Sequence, residues 1–154
     1  MAAFYGDSSA LVKQYIREVG SARIIELTAP AAGNRIYTAL VTGAEIVAAV
    51  ARRLRAGSIT DSDATVAITA FRNQFRAQYG IVPVTDRIVE RAMDLAEAHG
   101  LRGYDAIQLS CALVTRDRLA TRRTPVLTFL SADSSLNAAA AAEGLIVENP
   151  NSYQ

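Results

Sequence analysis

The feature that most constrains this chain is a repeated local grammar. A short apolar run is followed by a residue whose side chain accepts hydrogen bonds from free helix amides, and then by a helix. Residues 4–6 form such a run, and Asp7, Ser8 and Ser9 follow it. The pattern predicts a strand over 4–6, a helix over 10–16 stopped near Gly20, and a second helix over 22–28 opened by Ser21. Pro30 and Gly33 break the chain before a strand over 35–39. A helix over 41–56 ends at Gly57, and Thr60 with Asp61 opens a long one over 62–79. The run 81–84 contains Pro83, which suits an edge strand. Thr85 and Asp86 open a helix over 87–99 that Gly100 ends, and another helix covers 104–119. The apolar run 125–131 is a strand, Asp133 begins a helix through Glu143, and a last strand spans 145–148. Short apolar strands alternating with helices indicate an α/β fold with a mainly parallel sheet. No repeat or linker divides the chain. At about 100–200 residues per domain, its 154 residues make a single domain, 1–154.

Composition removes several function classes. The chain is 51% hydrophobic and 20% charged, which is the balance of a folded domain. One cysteine, Cys111, and one histidine, His99, exclude an internal disulfide, a cysteine zinc cage and any two-histidine site. No stretch approaches the roughly 18 consecutive apolar residues of a membrane span. The first basic residue is Lys13, so the positive head of a secretory signal is missing and a cytoplasmic location is expected. Net charge is +1, yet every basic residue except Lys13 is arginine, the better bidentate partner for phosphate. That composition permits a polyanionic ligand without demanding one.

The acids carry more information. In open α/β sheets, sites form beyond the carboxyl ends of strands. Asp7 follows the first strand, Asp133 follows the run 125–131, and Asp105 stands at the start of the helix over 104–119. Each has an ordinary alternative role as a helix cap. Glu45 lies a turn inside its helix among small apolar residues, with no cation at helical spacing. It is either solvated or, if buried, in need of a positive partner, and Arg52 and Arg53 stand two turns away. The remaining acids have structural explanations. Glu90, Asp94 and Glu97 stand at pairing distance from Arg87 and Arg91 along one helix, and Asp61, Asp63 and Asp86 sit where caps are needed. If Asp7, Glu45, Asp105 and Asp133 converge, they repel one another, and a hard divalent cation such as Mg²⁺ or Mn²⁺ relieves the repulsion. Such a site activates water and neutralises charge on a scissile phosphate. Whether they converge is for the fold to decide.

Four segments, in order, resemble the PIN-domain proteins of the VapC type, the toxins of type II toxin–antitoxin pairs. They are Tyr5-Gly6-Asp7-Ser8-Ser9-Ala10-Leu11-Val12-Lys13, Glu45 in its alanine-rich helix, Leu101-Arg102-Gly103-Tyr104-Asp105-Ala106-Ile107-Gln108-Leu109, and Leu130-Ser131-Ala132-Asp133-Ser134-Ser135-Leu136. The resemblance implies a three-layer α/β/α sandwich with a parallel sheet of about five strands. It implies an endoribonuclease dependent on Mg²⁺ or Mn²⁺, with Asp7 and Asp105 as principal metal ligands. Glu45 and Asp133 would complete the acidic site by orienting water or holding a second cation. Ser8 and Ser131 would hydrogen-bond the carboxylates beside them, unless they only cap helices. A small antitoxin covering the site, an RNA substrate and a homodimer are further implications. Many relatives carry histidine where this chain has Gln108. Ala44, Val47, Ala48 and Ala51 would suit a docked partner, although most are expected to pack on the sheet.

Two other α/β readings fit the residues less well. A phospho-receiver module needs an acidic pair after its first strand and a late lysine, whereas Asp7 adjoins Ser8 and the only lysine is Lys13. A haloacid-dehalogenase-like phosphatase needs a second Asp where Ser9 stands. A catalytically silent PIN scaffold that only binds RNA or protein is disfavoured by the presence of all four acids.

Overall fold

Alternate residues of the first strand face opposite layers, and this assembles the molecule. In the computed structural model, which describes residues 1–123 and 125–154, β1 (Ala3–Gly6) is flanked by β2 (Arg35–Ala39) and β4 (Leu127–Leu130). Ala3 and Tyr5 point into one core with Phe129, Leu109, Leu113 and Leu136. Phe4 points into the other with Leu11, Ile24, Ile46 and Phe71. This period of two is the pleat of a strand buried on both faces. β3 (Gly80–Val82) and β5 (Ile146–Glu148) form the edges, giving a five-stranded all-parallel sheet in the order β3-β2-β1-β4-β5.

Helices α1 (Ser8–Leu11), α2 (Ser21–Thr28), α3 (Thr42–Arg55) and α4 (Asp61–Ala77) supply the layer that buries Phe4. Helices α5 (Asp86–His99), α6 (Gly103–Thr121) and α7 (Ser134–Ala142) supply the other. The expected three-layer α/β/α sandwich is therefore the observed one. No helix among the described residues is long and apolar enough to cross a membrane.

The strand order places the site. The chain builds outward from β1 to β2 to β3, then returns to the other side of β1 with β4 and β5. Connections leaving β1 and β4 consequently diverge, which opens a crevice at the carboxyl ends of these neighbours. β1 and β4 end in register, Gly6 opposite Leu130, and the Asp7 amide donates to the Leu130 carbonyl (3.1 Å). Gly6 is required here because a Cβ would lie 2.7 Å from the Leu11 side chain that folds back over the strand end.

Three local expectations need correction. The helix predicted over 10–16 is one α-turn followed by a 3₁₀ turn, Val12–Gln14, and the tightened chain buries Leu11, Val12 and Ile16 together. Arg91 does not pair along its own helix; it reaches Asp117 on α6 at 3.1 Å, because packing brings α6 closer than helical spacing does. Ala44 and Ala48 do not pack on the sheet. Ile46 and Val50 take that role, and the two alanines remain exposed.

Candidate active site

Asp7 caps α1 and does more than cap it. Its Oδ1 accepts from the Ala10 amide (2.9 Å) and from the Ser9 hydroxyl (2.7 Å), while Oδ2 accepts from the Ser131 hydroxyl (2.6 Å). The residue is only 4% exposed. Burial pushes its pKa up to about 6, against the pull of these three donors, and the charge on Glu45 raises it further. A carboxylate offers about four lone-pair sites, so Oδ2 retains one. Ser131 in turn is held by its neighbours: the Asp133 amide donates to its hydroxyl (3.1 Å), and Asn137 Nδ2 donates to its carbonyl (2.8 Å).

Glu45 is half-buried in the first turn of α3. It is neither fully solvated nor fully buried, and among the described residues no cation lies at ion-pair distance from it, although Lys13, Arg52 and Arg53 line the same cleft. Its partners are neutral donors: the Ser8 hydroxyl on Oε2 (2.6 Å) and Gln108 Nε2 on Oε1 (3.1 Å). Arg53 and Lys13 are engaged by Glu18 instead, at 2.7 and 2.9 Å.

Asp105 does not cap its helix. α6 begins at Gly103 with Arg102 at the cap position, so Asp105 sits within the first turn, and its carboxylate accepts no hydrogen bond from the described residues. Its pKa is raised, first by partial burial and then by the charges of Asp133 and Glu45, with Arg102 opposing. Asp133 does cap, accepting from the Leu136 amide (3.0 Å) through Oδ1, and it is exposed.

These four acids, from four separate segments, line a single cleft of about 870 Å³. Ser8, Ser9, Ala44, Ala48 and Tyr104 also line it, together with the charged residues Lys13, Glu18, Arg52 and Arg53. The donor chemistry suits a hard divalent cation: oxygen ligands only, with unused lone pairs on every acid. Among the described residues no group of three or more Asp, Glu, His or Cys side chains is placed to hold a metal ion by itself, so one or two carboxylates with water would have to serve. Asp7, through Oδ2, and the free Asp105 carboxylate are the residues that fit this role.

Sequence reasoning overlooked the supports in the interior. Ser9 holds Asp7, and Gln108, Thr42 and Tyr5 stand behind Glu45. One signal was available. Thr42 precedes Glu45 by three residues and Gln108 follows Asp105 by three, so each shares a helix face with an acid.

Known proteins give a consistent picture. Solved structures with the same fold include FitAcB from Neisseria gonorrhoeae (16% identity, TM-score 0.62, covering 96% of this chain and 97% of that one). A toxin–antitoxin complex from Klebsiella pneumoniae is similar (18%, 0.60, covering 97% and 98%). So is VapBC2 from Rickettsia felis bound to a DNA fragment from their promoter (16%, 0.58, covering 96% and 98%). No curated protein sequence gives a match. The profile of the PIN domain matches residues 4–124, the span that holds Asp7, Glu45 and Asp105. By that match, with the acidic cleft at the carboxyl ends of the paired strands β1 and β4, the chain belongs to the PIN-domain family.

Proposed function

We propose that this protein is an endoribonuclease dependent on Mg²⁺ or Mn²⁺, acting as the toxin of a type II toxin–antitoxin pair. The observation that carries the reading is the cleft itself. Five carboxylates line one hollow; Glu18 is paired with Lys13 and Arg53, whereas Asp7, Glu45, Asp105 and Asp133 have no ion-pair partner among the described residues. PIN domains are typically nucleases, and the similar solved structures include toxin–antitoxin complexes.

In this reading Asp7 Oδ2 and Asp105 hold the ion, which when bound neutralises charge on the scissile phosphate and acidifies water. Ser9 and Ser131 keep the Asp7 carboxylate from turning. Glu45 retains a free lone pair on each oxygen and accepts the proton of the attacking water. Asp133, with Oδ2 free, orients water on the opposite side or neighbours a second cation. Arg52 and Arg53, the latter paired with Glu18, line the cleft, and Arg102 lies near Asp105 and Asp133; an RNA backbone would run past these charges. A small antitoxin would cover this cleft, and two copies of the chain would pair as a homodimer in the cytoplasm.

The test is cleavage of a panel of transfer, ribosomal and messenger RNA with Mg²⁺ or Mn²⁺, beside Asp7→Asn and Asp105→Asn. The reading expects scission by the native chain alone and none in excess chelator. Scission that survives both substitutions, or that needs no divalent ion, contradicts it. Co-expression with the product of an adjoining short reading frame tests the antitoxin, and sedimentation tests the homodimer.

A further inference from the structure

We propose that Gln108 is a positioning residue, whose buried side-chain amide fixes the Glu45 carboxylate in the cleft through a hydrogen-bonded chain anchored at the end of β1. Gln108 is 1% exposed on the inner face of α6. Its Nε2 lies 3.1 Å from Glu45 Oε1 and 2.8 Å from Thr42 Oγ1, and its Oε1 lies 2.7 Å from the Tyr5 hydroxyl. The geometry admits one orientation of this amide. Turned over, it would set a carbonyl oxygen against the Glu45 carboxylate at 3.1 Å. Both amide hydrogens are therefore spent, one on Glu45 and one on Thr42, and Tyr5 donates to the oxygen.

The chain continues inward. Thr38 Oγ1 is 2.8 Å from Thr42 Oγ1 and 2.7 Å from the Gly6 carbonyl. A carbonyl only accepts, so the Thr38 proton goes to Gly6 and the Thr42 proton goes to Thr38. A directional path thus runs from Glu45 through Gln108, Thr42 and Thr38 to Gly6, the residue before Asp7. Ser8, the residue after Asp7, grips the other Glu45 oxygen at 2.6 Å. Glu45 is consequently referenced from both sides to the strand end that carries Asp7, and the separation of these two acids is set by the sheet. Thr38, Thr42 and Tyr5 are fully buried, so no water competes for these bonds.

The role in catalysis rests on the proposed nuclease reading; the fixing of Glu45 does not. The first arm of the test therefore uses the metal-free protein. Nuclear magnetic resonance of its glutamine side-chain amides, with Gln108→Met identifying the resonance, should show a Gln108 NH₂ pair protected from exchange. Its shifts should move in Glu45→Gln and in Tyr5→Phe. A solvent-averaged pair indifferent to both substitutions overturns the proposal.

The second arm is RNA cleavage with Mn²⁺. Gln108→Met should lower kcat about 10–100-fold with KM within twofold. Tyr5→Phe, which keeps the ring but frees the amide to turn, should lower kcat less, at unchanged KM. In a Glu45→Gln background Gln108→Met should add no further loss, because its effect passes through Glu45. Independent, multiplying losses overturn the proposal. An absence of cleavage by the native chain counts against the nuclease reading alone, and the resonance arm then decides the positioning role.

Discussion

On the β1–α3 side of the cleft, Asp7 and Glu45 together receive five hydrogen bonds, from Ser9, Ala10, Ser131, Ser8 and Gln108. On the α6–α7 side, Asp105 receives none from the described residues and Asp133 only one, from the amide of Leu136 in its own helix. The two walls carry the same chemical groups and differ in how they are held. The braced wall keeps its geometry without an ion, because its donors satisfy the carboxylates in place. The bare wall leaves Asp105 free to adjust, so in the proposed reading a cation would meet one fixed ligand and one adaptable one. Other acids are ion-paired: Glu148 with Arg23, Asp117 with Arg91 and Arg116, and Glu18, which lines the same cleft, with Lys13 and Arg53.

Asp7→Asn breaks the contrast most severely. The amide can still cap α1, so the fold should survive, while Oδ2 is lost as a cation ligand. RNA cleavage should fall by about 10²–10³-fold, the scale of losing one electrostatic contact to a transition state. Turnover within about threefold of native would remove Asp7 from the chemistry.

The same substitution reverses sign in stability. The folded-state pKa of Asp7 is raised, to about 6 against a usual 3.8, so the folded chain holds its proton more tightly than the unfolded chain. That contribution is complete below about pH 4 and is lost as pH rises past 6, an effect on the order of 3 kcal/mol. In chelator, native stability should therefore decline across this window relative to Asp7→Asn, which should be the more stable of the two at pH 7. Denaturant melts of both proteins at several pH values measure it. Parallel curves would show that burial is not straining this carboxylate.

Ser131→Ala sharpens the comparison, since it unbraces Asp7 without touching a charge. Metal affinity or kcat should fall about 10–100-fold, as when other supports of metal ligands are removed. Equal losses in Asp133→Asn, which retains the cap, would erase the distinction between the walls. The smallest expected effect separates the two bare acids. Asp133→Ala removes a cap and should cost about 1 kcal/mol of metal-free stability, whereas Asp105→Ala removes none. Thermal melts in chelator distinguish them.

What could be read in the sequence was local. The strand-then-acceptor grammar located β1, β4, Asp7 and Asp133, because capping residues and apolar runs are adjacent in the chain. Ser8 and Ser131 were visible for the same reason. The capping alternative for Asp105 could not be dismissed from the sequence, because α6 starts earlier, at Gly103, where a glycine gives no sign of a helix start. The neutral grip on Glu45 was hidden, since Gln108 lies on another helix and meets it only across the core. Ala44 and Ala48 looked like sheet-packing residues, because small apolar side chains suit a buried face as well as an open wall. Strand order, which turns two separated acids into facing ones, has no local signature.

The most direct test of a cleft built to hold a cation is a crystal soaked in Mn²⁺ and read by anomalous scattering. The account predicts a peak in the cleft, with Asp7 Oδ2 and the Asp105 carboxylate among its ligands and Glu45 unmoved against Ser8 and Gln108. Mn²⁺ bound elsewhere while the cleft stays empty would contradict it.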